Sequence, residues 1–256
     1  DALINGGVTA TYTTHPVTTA DADGKQVPMV TGHFGNRYVG ELLIDVNDST
    51  GAVDGILSSK MIRVSGAAAD ADAVTGDATI NAQVIQPVSA YIAALNAQVI
   101  GTTAVTLNGA RGSNCSAAPC TYTTGVRNAE TGLGNLVADA MRHVGMAEVA
   151  IQNGGGVRVT IAGPGNVTEG DTFNVLPFTN LVKRAPVMNA AQLKDLMEHS
   201  VAASTPTGSA QGRFAQISGM QVTYDTTQAA RTTVGDGQRV RRIVLDDGTV
   251  LVDNGA

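Results

Sequence analysis

The chain has 256 residues, is 43% hydrophobic and 15% charged, and sets 16 Lys+Arg against 22 Asp+Glu for a formal charge of −6. That length and apolar content suffice for one large domain or two modest ones with cores of their own, which excludes a disordered tail. An acidic chain offers no general attraction to a nucleic acid backbone, and no apolar run is long enough to cross a bilayer as a helix.

Residues 29–64 read as β structure. Apolar and polar residues alternate from Tyr38 to Val46, Asn47-Asp48-Ser49-Thr50-Gly51 supplies a turn, and a second strand-like run reaches Val64, so an antiparallel hairpin is expected. Residues 65–76 are small and polar, a loop or linker. From Asp77, a plausible N-cap, the pattern becomes helical: Ile80, Val84, Val88, Tyr91 or Ile92, Leu95 and Val99 recur at three to four residues. This predicts a helix over 77–99 that connects an N-terminal region, 1–76, to a second domain, 100–256.

In that second domain Leu133, Leu136, Val137, Ala140, Met141 and Val144 mark an amphipathic helix ending near Gly145. Residues 148–153 form a short apolar strand running into Gly154-Gly155-Gly156, expected as a flexible loop without side chains. Thr168 and Asp171 stand at capping-box spacing, and residues 189–202 carry a second amphipathic helix through Leu193, Leu196, Met197 and Val201. Strand alternation dominates afterwards, with Asp246-Asp247-Gly248-Thr249 as a hairpin turn. The pattern is mixed α/β, with antiparallel strands late and no internal repeat.

Several residues could carry chemistry. Cys115 and Cys120 lie in a Gly/Ser/Asn-rich stretch; a disulfide there would be worth roughly 2 kcal/mol and point to an oxidising compartment, whereas a zinc site would need further Cys or His ligands close by. His15, His33, His143 and His199 are scattered singly, as surface or cap residues are. Three glycines at 154–156 let backbone N–H groups approach a flat or anionic ligand, with Asn153 and Arg158 beside them; the plain alternative is a loop whose glycines supply positive φ. Arg127 stands just ahead of a helix start, and Asn135 and Asp139, one turn apart, share a helix face. Phe178, placed by Pro177 in a chain with four phenylalanines and no tryptophan, is either a core plug or a stacking platform for a base.

The runs ETGLGNLVADAMR, AIQNGGGVR, VTEGDTFNVLPF, QLKDLMEHSV and GRFAQISGMQVTYD, in this order, resemble the C-terminal substrate-binding domain of the 5'-nucleotidase family. This family includes ecto-5'-nucleotidases, UDP-sugar hydrolases and 2',3'-cyclic phosphodiesterase/3'-nucleotidases, and the likeness covers about residues 80–250. With less force, MVTGHFGNRYVGELLIDVN resembles the last strands of the family's metallophosphoesterase domain. DALINGGVTATY resembles the segment that carries its final GHxH metal motif, with Gly7 and Thr9 where the histidines would stand.

The resemblance implies a mixed sheet with flanking helices, preceded by a remnant hairpin and a connecting helix about which the family's domains rotate. It implies that Arg127 contacts the substrate phosphate region, that Asn153, Gly155 and Arg158 bind the nucleoside and the anionic end, and that Phe178 is one of two aromatics that sandwich the base. The second aromatic belongs to a GGDG-like segment beyond Ala256. It further implies two divalent metal ions of the Zn, Mn or Co type in an N-terminal catalytic domain that precedes this chain, with none held here. The expectation is therefore the nucleotide-binding portion of a secreted, periplasmic or cell-surface phosphohydrolase, inactive alone and partnered by a nucleotide or nucleoside rather than a nucleic acid polymer. The alternatives are a non-catalytic nucleotide or nucleotide-sugar module, or a parent acting on UDP-sugars or cyclic nucleotides.

Overall fold

The computed structural model describes residues 16–31, 37–113, 123–185, 188–205 and 209–255. Cys115 and Cys120 lie outside the described residues, as do His15, His33, Gly7 and Thr9. The chain divides into two compact units, Asp1–Pro87 and Val88–Ala256.

The first unit holds two antiparallel hairpins. The shorter pairs β1 (Val17–Ala20) with β2 (Gln26–Met29), and the longer pairs β3 (Tyr38–Val46) with β4 (Val53–Arg63). The turn of the longer hairpin forms as its residues dictate: the Asn47 side-chain oxygen accepts from the N–H groups of Ser49 and Thr50, both at 3.0 Å, and Gly51 takes the left-handed φ of +68°. Val39, Leu42, Leu43, Ile44, Val53 and Leu57 on this hairpin are all exposed.

The expected helix begins where Asp77 caps it, its carboxylate accepting from the N–H groups of Thr79 and Ile80 at 2.8 and 2.9 Å. It is not uniform. After α1 (Ala78–Ile80), residues Asn81–Ile85 form a π-helical turn in which the Gln86 N–H reaches back to Asn81, and α2 (Gln86–Ala97) follows. Pro87 accounts for the widening: it has no N–H to continue the four-residue ladder, and a π turn absorbs the mismatch. Val99, expected as the last helical position, instead starts β5 (Val99–Thr103), which pairs with β7 (Gly165–Thr168).

The second unit is mixed α/β, with its strands in small antiparallel sheets. β6 (Ala150–Asn153) pairs with β8 (Ala215–Ser218), and β9 (Met220–Tyr224), β10 (Val240–Leu245) and β11 (Val250–Asp253) form a three-stranded meander with β10 central. Leu193, Met197 and Val201 of helix α5 (Ala190–Val201) bury against Phe214, Met220, Val240, Ile243 and Val252. A second cluster joins Leu133 and Val137 of helix α3 (Gly132–Gly145) to Val126, Val157, Ile161 and Val175.

Caps follow the sequence closely. Thr168 and Asp171 form a reciprocal capping box at the start of α4 (Glu169–Val175), and Asn189 and Gln192 form another at α5. Helix α3 ends at Gly145, as the sequence suggests. Met146 itself takes the left-handed conformation, φ 45°, and its N–H closes onto the carbonyls of Arg142 and His143.

Residues 225–239 fold over α5 through paired charges. Asp195 accepts from Arg231 Nε and Nη2 at 2.7 and 3.0 Å and from the Gly235 N–H at 2.7 Å. Asp236 accepts from the N–H groups of Thr232 and Thr233, both at 2.9 Å. Hydrogen bonding from Arg231 holds the Asp195 carboxyl below its usual range, and hydrogen bonding from the Thr232 hydroxyl does the same for Asp236. A depressed folded-state pKa contributes stability that is present above the unfolded value, about 3.9, and lost as pH falls below it. Thermal melts should therefore be insensitive to pH from 7 to about 5 and fall steeply below about pH 4. Asp195→Asn should show a shallower acid limb, and an unchanged limb would exclude this clasp as its source.

Candidate functional site

The glycine run is an ordered element. Gly154–Gly156 form one 3₁₀ turn, and none of the three has positive φ, so the flexible loop expected from the sequence is not what forms. The reason is crowding. A Cβ on Gly154 would lie 1.8 Å from the Val126 carbonyl oxygen, and one on Gly156 would lie 2.2 Å from Gln152 Nε2. The N–H groups of Gly154 and Gly155 donate to the carbonyls of Phe214 and Gly212 at 2.6 and 2.8 Å. The Gly155 N–H is thus taken up within the fold, and its carbonyl accepts from Arg158 Nη1 at 3.3 Å.

That contact helps to aim Arg158. The backbone N–H of Arg158 donates to the carbonyl of Val175, at the end of α4, at 3.0 Å. This brings it beside the segment Leu176-Pro177-Phe178, and its guanidinium carbon lies 5.5 Å from the centroid of the Phe178 ring. Phe178 is 50% exposed, so it is not a core plug. Asn153 is exposed, and its amide is engaged at both ends: Nδ2 donates to Gly212 at 3.2 Å and Oδ1 accepts from Gln152 Nε2 at 3.2 Å.

Arg127 is half-buried, in the loop before α3. Its Nε is shielded from solvent and has no hydrogen-bond acceptor among the described residues. Burial, followed by the charges of Arg111 and Arg158, pushes the Arg127 pKa down from its ordinary value. The guanidinium remains a cation at any working pH, so this depression measures how poorly its surroundings stabilise the positive charge. Arg111 and Arg158 are thus near enough for their charges to act on Arg127, in an acidic protein. Sequence reasoning misses Arg111, because the stretch that contains it draws attention through its cysteines; a cation beside glycines in a chain of net negative charge is the available signal.

Asn135 and Asp139 do share a face of α3. Asn135 Nδ2 donates to Glu130 at 2.7 Å, and Asp139 accepts from the Ser218 hydroxyl at 2.5 Å. With Arg142 and Asp246 they line a cleft of about 460 Å³ to which Arg127, Asn153, Arg158 and Phe178 contribute nothing. Among the described residues no group of three or more His, Cys, Asp or Glu side chains is placed to hold a metal ion, and no helix is long and apolar enough to cross a membrane.

Comparison with known proteins gives this geometry a family. The model of the 5'-nucleotidase C-terminal domain matches residues 99–256. A snake venom 5'-nucleotidase from Macrovipera lebetinus is 32% identical over 231 residues, covering 84% of this chain and 50% of the relative. The mouse 5'-nucleotidase is 29% identical over 227 residues, covering 82% of this chain and 34% of the relative. Among solved structures, the 5'-nucleotidase precursor from Thermus thermophilus superposes with a TM-score of 0.50 at 25% identity, over 94% of this chain and 42% of that one. The chain thus spans half or less of the length of these relatives, and with more than half of its own residues matched by the family model, it belongs to the 5'-nucleotidase C-terminal domain family.

Proposed function

We propose that the chain binds a nucleotide, with Arg111, Arg127 and Arg158 facing its phosphate end and Phe178 stacking on its base, as the substrate-binding part of a phosphohydrolase that releases nucleoside and phosphate. The observation that carries this reading is the shielded Nε of Arg127, which has no acceptor among the described residues and is subject to the like charges of Arg111 and Arg158. A dianionic phosphate would relieve that repulsion and supply the missing acceptor, and charge-assisted bonds of this kind are about twice as strong as neutral ones. The half-exposed ring of Phe178 lies where the Arg158 cation can face the phosphate while an aromatic base lies on the ring.

As part of the same reading, the chemistry at phosphorus, with two divalent ions, belongs to a catalytic domain of the parent protein. A secreted, periplasmic or cell-surface setting is part of the same proposal, supported by the venom relative.

Calorimetric titration with AMP, adenosine and UDP-glucose tests the reading. AMP should bind more tightly than adenosine, and Phe178→Ala should weaken both by about 10- to 100-fold, the loss of one stacking contact of roughly 1–3 kcal/mol. Equal affinities for AMP and adenosine would exclude a phosphate site, and binding unaffected by Phe178→Ala would exclude the stacking role.

A further inference from the structure

The arginines of the cluster stand in loops, and buried side-chain amides hold two of those loops from beneath. Gln216 of β8 is 1% exposed, and its Nε2 donates to the carbonyls of Val126 at 3.0 Å and Ala129 at 2.8 Å. Its Oε1 accepts from the Thr131 N–H at 3.2 Å. These three backbone groups bracket Arg127 on both sides. The fit leaves no slack: a Cβ on Gly134 would lie 1.9 Å from Gln216 Oε1. Asn128 holds the same segment and ties it to the Arg111 loop: its Oδ1 accepts from the Gly125 N–H at 2.8 Å, and its Nδ2 donates to the carbonyls of Thr123 at 3.1 Å and Ser113 at 3.4 Å. Gly112, next to Arg111, approaches so closely that a Cβ would lie 2.6 Å from Asn128 Nδ2.

We propose that Gln216 is the positioning residue of the phosphate site: it holds the Arg127 loop in the binding geometry against the repulsion of Arg111 and Arg158. This rests on the reading that the arginine cluster takes the phosphate end of a nucleotide. Three cations near one another favour separation and hydration. The loop's own backbone bonds, from the Asn128 and Ala129 N–H groups to Gly125 and from the Gln211 N–H to the Arg127 carbonyl, resist this in part, and Gln216 adds to that resistance by meeting the carbonyls of Val126 and Ala129 and the Thr131 N–H. Moving the loop would strand two carbonyls and one N–H in a region closed to water, a cost of about 1–3 kcal/mol for each group left unmet. The arginines are thereby held before the ligand arrives, so less of the binding energy is spent on ordering them. Gln216 does not approach the ligand itself, and its effect should be confined to ligands that carry phosphate.

The test compares the full chain with Gln216→Met, which keeps the length of the side chain and removes its donors and acceptor. A second variant, Gly134→Ala, keeps the glutamine but drives a methyl group into its amide. Each is titrated with AMP and with adenosine, and folding is followed by thermal melting. The expected result is AMP affinity about tenfold weaker in either variant that remains folded, with adenosine affinity within about twofold of wild type. A merely structural role would weaken both ligands together or neither. A folded Gln216→Met that keeps the wild-type preference for AMP overturns the positioning role alone. Loss of folding in both variants overturns it too, by making Gln216 a folding residue. A wild-type chain with no preference for AMP overturns the phosphate reading, and this inference with it.

Discussion

Gly154→Ala is expected to lower stability by about 3 kcal/mol or more and the thermal midpoint by roughly 6–12 °C, and to abolish AMP binding with it. The added methyl would sit 1.8 Å from the Val126 carbonyl oxygen, a backbone atom that no rotamer change can move. Either the end of β6 must retreat, breaking the 2.6 Å bond from the Gly154 N–H to Phe214, or the Val126 loop must. The second route moves Arg127, the next residue, and pulls the same carbonyl from Gln216 Nε2. Stability and phosphate binding should therefore fail together. Two controls separate crowding from a general intolerance of alanine. Gly155→Ala meets Gly212 atoms at 3.0 Å and should cost less, while Gly165→Ala, with nothing within 4 Å of its new methyl, should be close to neutral. A Gly154→Ala chain melting at the wild-type temperature would exclude backbone crowding as the reason for the glycine run.

The glycine run also shows where sequence reading stops. Three glycines between Asn153 and Arg158 announce that side chains are unwelcome, but the pattern does not say what excludes them. In the fold it is the protein's own atoms: the Val126 carbonyl at Gly154, the Gly212 backbone at Gly155 and the Gln152 amide at Gly156. Local signals were legible throughout: Asp77, Thr168 with Asp171, and the Asn47 turn all formed as their residues predict, because each closes over four residues or fewer. The π turn before Pro87 and the strand at Val99 were not anticipated. The first needed Pro87 to be weighed against a strong helical period, and the second needed the partner strand β7, which lies far along the chain. The arginine cluster is of the same kind. Arg111, Arg127 and Arg158 share no spacing that marks them as neighbours: Asn128 ties the Arg127 loop to Ser113, Gln216 ties it to β8, and Arg158 is held separately by its bonds to Gly155 and Val175. Phe178 was ambiguous for a related reason, since its exposure depends on where α4 ends and not on the residues beside it.

The largest stability loss outside the site is expected at Glu198. This carboxylate is 1% exposed on the buried face of α5, and all its partners are donors: Lys194 Nζ at 2.9 Å and the Val240 N–H at 2.8 Å on one oxygen, the Arg239 N–H at 3.0 Å on the other. Glu198→Ala would leave two backbone N–H groups without acceptors and take the carboxylate from the Lys194 ammonium, at a cost of about 3–5 kcal/mol. Gly237 packs so close that a Cβ there would meet Glu198 Oε2 at 2.5 Å, and Lys194 Nζ also donates to the Gly237 carbonyl at 2.8 Å. The carboxylate therefore joins α5 to the start of β10. Glu198→Gln distinguishes charge from shape. Its amide fills the same volume but turns an N–H toward a donor, so it should cost about 2 kcal/mol or more even though no cavity forms. Lys194→Met should cost less than either, because the lysine is partly exposed and its loss leaves the two backbone bonds to Glu198 intact. Urea unfolding of the three variants should rank them Ala, Gln, then Lys194→Met in order of decreasing loss. A glutamine variant as stable as wild type would show that the pocket needs only the shape of Glu198 and not an acceptor at each of its two oxygens.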